Sequence, residues 1–134
     1  MKCPVCASLL NRESLSRYLV FQTKSFVVMA NPAPMHSWAL LVLPVDHVTA
    51  LEAVDEVDFA RALRGSIRAY HRLFTHEPAF NIVVRCGADV GHLHAEIIPK
   101  TDTNILGGWE GATDMPIIDV HPAEASARLS MDSD

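Results

Sequence analysis

Long apolar runs are missing from this chain, and none approaches the roughly 20 residues that a membrane-spanning helix requires. Its start, Met1-Lys2-Cys3-Pro4-Val5-Cys6, also lacks the apolar centre of a signal peptide. Cysteine is scarce: three residues, Cys3, Cys6 and Cys86, make an odd count that does not suit a disulfide framework. Reduced thiols and a cytoplasmic location are therefore expected. An excess of positive charge is absent too. Eleven Lys and Arg face 16 Asp and Glu, and the net charge of -5 argues against a general nucleic-acid binder. There is no internal repeat and no low-complexity tract. What is present is ordinary for a globular protein: 49% hydrophobic and 20% charged residues over a length that can bury one core but not two. A single domain spanning residues 1–134 follows.

Along the chain, residues 1–16 show little periodicity. Tyr18 to Gln22 and Ser25 to Ala30 are short runs of Val, Phe and Tyr parted by Thr23-Lys24, which predicts two strands. Asn31-Pro32-Ala33-Pro34 must be irregular, because proline breaks both ladders and helices. Trp38 to Leu43 is continuously apolar and reads as a central strand buried on both faces. Over residues 55–74, Phe59, Leu63, Ile67, Tyr70 and Phe74 build one apolar stripe, the mark of a long amphipathic helix. Phe80 to Arg85 and Leu93 to Ile98 are two more strands, and Ile117 to Val120 is an expected edge strand. Pro122 to Leu129 forms a short terminal helix, and residues 130–134 are expected to fray. The order β-β-β-α-β-β with hairpin-length links predicts an α+β fold: an antiparallel sheet carrying one long helix and a short C-terminal one.

The chemistry concentrates in Gly91-His92-Leu93-His94-Ala95-Glu96. Strand side chains alternate between faces, so His92, His94 and Glu96 share one face while Leu93, Ala95 and Ile97 point to the other. Such a face either binds a metal or holds an imidazole for chemistry. Cys3-Pro4-Val5-Cys6 has the spacing of a zinc knuckle, and a structural zinc needs two further ligands. His36, His47, His92 and His94 are the candidates; a redox pair is the competing reading of the motif. His71, His76 and His121 read as solvated or loop residues, and Cys86 as a small buried one. Arg61, Arg64, Arg68 and Arg72 line the helix face opposite the apolar stripe, where a solvated face outweighs phosphate binding. Trp109-Glu110, after Gly107-Gly108, either closes over a ligand or packs.

Together these pieces resemble the histidine-triad superfamily, and within it the galactose-1-phosphate uridylyltransferase branch. The likeness covers most of the chain: Cys3 and Cys6, the strand–turn–strand from Phe26 to Pro44, His47 after it, and His92-x-His94-x-Glu96-Ile97-Ile98-Pro99. It continues through Leu106-Gly107-Gly108-Trp109-Glu110-Gly111 to Pro122-Ala123-Glu124-Ala125. The resemblance implies zinc held by Cys3, Cys6, His47 and His92, and His94 as the nucleophile that takes a nucleotidyl group from a nucleotide or nucleotide conjugate. It implies Asn31 at the ribose and a homodimeric active unit; Arg85, at the edge of the site, is expected on geometry alone to pair with phosphate oxygens, and neither nucleic acid nor membrane is an expected partner.

Two departures stand in the motif. Where the family has a third histidine or a glutamine, this chain has Glu96, a second candidate catalytic group. An ionised carboxylate 4 Å from a phosphodiester costs up to ~4 kcal/mol at an effective dielectric near 20. Glu96 must then be protonated, paired with a cation such as Arg85 or Lys100, set against a cationic reacting group, or used as a metal ligand. The turn Cys86-Gly87-Ala88-Asp89-Val90-Gly91 is the other: it is short and lacks the Gln and Ser/Thr expected before the triad.

Overall fold

The computed structural model describes residues 3–32, 36–74, 79–88, 90–100 and 120–130. Two seven-residue helices, α1 (Pro4–Leu10) and α2 (Arg12–Tyr18), precede the sheet. The strands are β1 (Leu19–Gln22), β2 (Phe26–Ala30), β3 (Leu40–Pro44), β4 (Phe80–Arg85) and β5 (His94–Pro99). They form one antiparallel sheet in the order β1-β2-β3-β5-β4. The long helix α3 (Glu56–Leu73) connects β3 to β4, and α4 (Pro122–Ser130) closes the described chain. The expected α+β fold is the one observed.

Alternation along the central strands divides the apolar residues into two layers. On one side Phe26, Val28, Leu40, Val42, Ala95 and Ile97 are sealed beneath α3 and α4, whose Ala62, Ala69, Tyr70, Ala125 and Leu129 complete the main core. On the other side Val27, Met29 and Leu43 pack with Val5 and Leu9 of α1 and Leu15 and Tyr18 of α2. The absence of periodicity over 1–16 was no sign of an irregular segment. Helices of two turns are too short to display a 3.6-residue stripe, and their apolar residues cover the second face of the sheet.

Helix α3 begins where Asp55 caps it, its Oδ1 accepting from the N–H groups of Val57 and Asp58 at 3.1 Å each. Asp58 in the first turn is buried and grips the β1–β2 turn: Thr23 Oγ1 and the Ser25 N–H both donate to its Oδ2 at 2.7 Å. Gly65 allows a close approach, since a Cβ there would meet the Phe21 ring at 2.6 Å. Tyr70 is fully buried; its hydroxyl donates to the Trp38 carbonyl, and burial, with Glu96 nearby, pushes its pKa well above the ordinary tyrosine value. The four helix arginines are exposed, as expected of a solvated face.

Three expectations need comment. Cys86 is exposed rather than buried, because it lies just past the end of edge strand β4. Ser130 closes α4 instead of belonging to a frayed tail, its hydroxyl donating back to the Ser126 carbonyl at 2.8 Å. The expected edge strand at 117–120, the Gly107-Gly108 loop, Trp109-Glu110 and His76 fall wholly or mainly outside the described residues. Among the described residues, no helix is long and apolar enough to cross a membrane.

Candidate functional site

The site begins with the loop after β3. Two backbone bonds fasten it to the turn before β5: the Leu93 N–H donates to the Val48 carbonyl and the Gly87 N–H to the Thr49 carbonyl, each at 2.7 Å. His47, one residue before, is thereby brought beside His92, with ring centroids 5.2 Å apart and nearly perpendicular. Pro4 in the first turn starts α1 and makes Cys3 its N-cap residue, so Cys3 and Cys6 lie one turn apart.

Cys3, Cys6, His47 and His92 then converge, their four donor atoms all lying within 4.8 Å of one another. The His92 Nδ1 is 3.5 Å from both sulfurs, and the His47 Nδ1 is 3.4 Å from the Cys6 sulfur. Around a tetrahedral zinc, with Zn–S near 2.3 Å and Zn–N near 2.05 Å, adjacent sulfur and nitrogen ligands stand about 3.5 Å apart. The donor set thus has the size and chemistry to hold one such ion. His92 is additionally oriented from behind: its Nε2 lies 2.9 Å from the Pro44 carbonyl. A carbonyl only accepts, so Nε2 carries the proton and Nδ1 is the free ligand nitrogen. The N–H of Cys6 points at the Cys3 sulfur and holds the pKa of that thiol below its ordinary value, whereas burial and the neighbouring Cys3 push that of Cys6 upward. Of the four histidines weighed as ligands, His36 and His94 are outside this cluster.

His94 starts β5 and faces the other way along the same side of the sheet, into a cleft of about 350 Å³. Its Nδ1 lies 3.0 Å from the His92 carbonyl, which fixes the proton on Nδ1 and puts the ring's lone pair on Nε2. Arg85 is directly opposite His94 in the β4–β5 register, and its Nη1 stands 3.5 Å from that Nε2. The same Nη1 is 3.6 Å from Oε1 of Glu96, a diagonal cross-strand pair. The other carboxylate oxygen, Oε2, accepts from Nδ2 of Asn31 at 2.8 Å. Of the alternatives open for Glu96, pairing with Arg85 is the one realised; Lys100 is exposed, and the carboxylate is not part of the metal cluster.

His94, Glu96, Asn31 and Arg85 therefore meet in the cleft, while Cys3, Cys6, His47 and His92 meet at its edge. Reading the sequence alone missed the walls. Met29, Leu41 and Leu43 line the cleft from the sheet, and Pro4, Val5 and Ser8 line it from α1. The helix that carries both cysteines is thus also a wall of the cleft. The only advance signal was proline at position 4, since seven residues give no periodicity.

A family model for the HIT domain matches residues 12–103. Solved structures are similar over nearly the whole chain. An ADP-glucose phosphorylase from Arabidopsis thaliana with bound ADP-glucose is 20% identical, with a TM-score of 0.76; the likeness covers 97% of this chain and 43% of that one. A uridylyltransferase is 20% identical at a TM-score of 0.79, over 96% of this chain and 44% of that one. This chain thus spans less than half the length of either. A zinc-bound histidine triad family protein from Mycobacterium smegmatis is of similar size: 20% identity, TM-score 0.67, 97% of this chain and 91% of that one. No curated protein matched.

Proposed function

The chain belongs to the HIT domain family, and from that premise we propose that it is a nucleotidyl hydrolase or nucleotidyltransferase acting through a covalent nucleotidyl-histidine on His94. The observation that carries this reading is the arrangement of the His94 ring. Its Nδ1 is committed to the His92 carbonyl, and its Nε2 faces a cleft with apolar walls and a cation beside the attacking atom. In the first step the Nε2 lone pair attacks the α-phosphorus of a nucleoside 5′-phosphate derivative; the bond to the leaving oxygen breaks and its electron pair departs with it. The Nδ1 proton stays shared with the His92 carbonyl and stabilises the cationic ring. In the second step an oxygen of water, phosphate or a sugar phosphate attacks phosphorus, any proton on that oxygen passes to solvent, and the N–P electron pair returns to Nε2. Arg85 contacts the phosphoryl oxygens and Asn31 the ribose, while Met29, Leu41 and Leu43 offer apolar surface to the base.

Zinc is the ion we assign to Cys3, Cys6, His47 and His92, because two thiolates and two imidazoles are the donors it favours. Four protein ligands fill its shell, so its contribution when bound is to fasten α1 and His92. Replacing Cys3 with Ser should remove most of the bound zinc; unchanged metal content by atomic absorption would refute this ligand set.

The active unit in this reading is a homodimer in the cytoplasm. Its support is edge strand β4, which exposes Ile82 and Val84. A second reading, nucleotide binding without covalent transfer, is favoured by one observation: the Arg85 cation stands over the very nitrogen that must attack. Intact-mass analysis separates the two. After incubation with nucleoside di- and triphosphates and nucleotide sugars, wild type should gain one nucleotidyl mass and His94→Ala none. Nucleotide binding by wild type without any adduct would leave the second reading standing and end the first.

A further inference from the structure

Helix α1 has two holds on the rest of the chain. One is apolar and slight: none of its residues is fully buried, and Val5 and Leu9 rest on Val27, Met29 and Leu43. Seven residues are too few for a helix to persist by itself. The other hold is the pair Cys3 and Cys6, which converge with His47 and His92. The two sulfurs lie within 4.8 Å of each other, each 3.5 Å from the His92 Nδ1, on side chains that are only half-buried. Cys3 is the N-cap residue, with extended backbone at φ -77° and ψ 124°, and Cys6 follows one turn later. Since a cap lies outside the helix proper, its side chain can turn to Cys6 without unwinding α1, and the sulfurs need only close to about 2.05 Å. We propose that Cys3 and Cys6 form a redox latch: oxidation by a small disulfide joins the two sulfurs, takes both thiolate donors from the metal site and frees α1 from the cleft that it walls. This rests on the zinc and nucleotide readings above.

The exchange balances without a proton. One cysteine thiolate attacks a sulfur of the oxidant, whose other half leaves as a thiolate with the bonding electron pair. The second cysteine thiolate attacks the protein sulfur of that mixed disulfide, and the remaining half leaves in the same way. Two protein thiolates are oxidised and one small disulfide is reduced to two thiolates. His47 and His92 are then the donors left, half of the four that a structural zinc requires. The two sides of the cleft respond differently. Pro4, Val5 and Ser8 belong to α1 and depend on the tether. Opposite them, the Pro44 carbonyl holds the His92 ring, the His92 carbonyl holds the His94 ring, and the Leu93 N–H bonds to the Val48 carbonyl. None of these bonds passes through a cysteine. Oxidation thus strips an apolar wall from the cleft and spares its histidine side.

The test uses full-length, zinc-loaded protein carrying Cys86→Ser, so that the pair alone can react. Millimolar oxidised glutathione should release the zinc to a chromogenic chelator, in step with the loss of two hydrogens in mass from the peptide joining Cys3 and Cys6. Amide exchange over residues 4–11 should accelerate by about tenfold or more, with residues 94–98 unchanged, and dithiothreitol with added zinc should reverse both changes. By calorimetry, affinity for any of the four ribonucleoside 5′-monophosphates that the reduced protein binds should fall about tenfold on oxidation. Zinc retained under the oxidant, a glutathione adduct without the internal disulfide, or unchanged exchange in α1 once the disulfide has formed overturns the latch. So does unchanged monophosphate affinity, and so does faster exchange that extends to residues 94–98, which is the mark of unfolding. Reduced protein that holds no zinc ends the zinc reading and the inference with it; reduced protein that holds zinc but binds no monophosphate ends the nucleotide reading, and with it any cleft for the latch to control.

Discussion

Adjacent positions on β5 have opposite fates. Ala95 and Ile97 enter the core under α3 and α4 and are fully buried among apolar neighbours. His94 and Glu96, on the alternate positions, face a cleft in which nearly every polar atom is tied to a residue from another strand or loop. The first face is held by packing, which is tolerant of identity and sensitive to volume. The second is held by direction: which nitrogen carries a proton, which oxygen accepts. Two faces of one strand separate stability from chemistry, and damage to one should leave the other largely intact.

The largest test of that separation is Ile97→Ala. Removing the buried side chain should cost about 2–5 kcal/mol, since both the transfer term and the cavity term apply. In urea the midpoint should fall with an unchanged slope, and nucleotide affinity of the folded protein, measured well below the midpoint, should hold. A marked loss of affinity at equal folded fraction would show that the core face sets the geometry of the site and would break the comparison.

A smaller effect is expected where α3 is fastened to the sheet. Asp58 accepts from Thr23 Oγ1 and the Ser25 N–H, and the Thr23 bond above all holds its carboxyl below the usual aspartate value. A depressed native value means the unfolded state binds the proton more readily. The stabilisation is therefore complete above the ordinary aspartate range and is lost as pH falls through the lower native value. Asp58→Asn should cost about 1–3 kcal/mol at neutral pH and flatten the acid side of the stability curve. An acid limb of unchanged steepness in the variant would assign that pH dependence to other carboxylates.

How much of this was legible beforehand differs by level. The strands announced themselves as short apolar and β-branched runs and α3 through its period of 3.6, and strand parity put His92, His94 and Glu96 on one side. His92 lies just before the strand, yet its ring keeps the expected side because the Pro44 carbonyl holds it there. Helices α1 and α2 were invisible for want of length, and with them the wall of the cleft. The bracket Asn31–Glu96–Arg85 was out of reach for a different reason. It depends on the order β2-β3-β5-β4 and on the pairing of Arg85 with His94, and strand order is a global property that no local pattern encodes. The pairing of Glu96 with Arg85 had been one of several options; the register selects it.

The smallest effect is expected on the outer face of α3, and it completes the contrast. Arg61, Arg64, Arg68 and Arg72 are exposed and point away from both the core and the cleft, so neither packing nor direction constrains them. Arg61 adds a favourable charge to Asp58. Single alanine substitutions at Arg64, Arg68 or Arg72 should therefore change stability by no more than about 0.5 kcal/mol, helped by the high helix propensity of alanine. Nucleotide affinity should not change, nor its dependence on salt. A salt-sensitive loss of nucleotide binding on removing Arg68 and Arg72 together would mean that phosphate is recognised on this helix after all. In that case chemistry would not be confined to one side of the sheet, and the separation between the two faces of β5 would no longer describe the molecule.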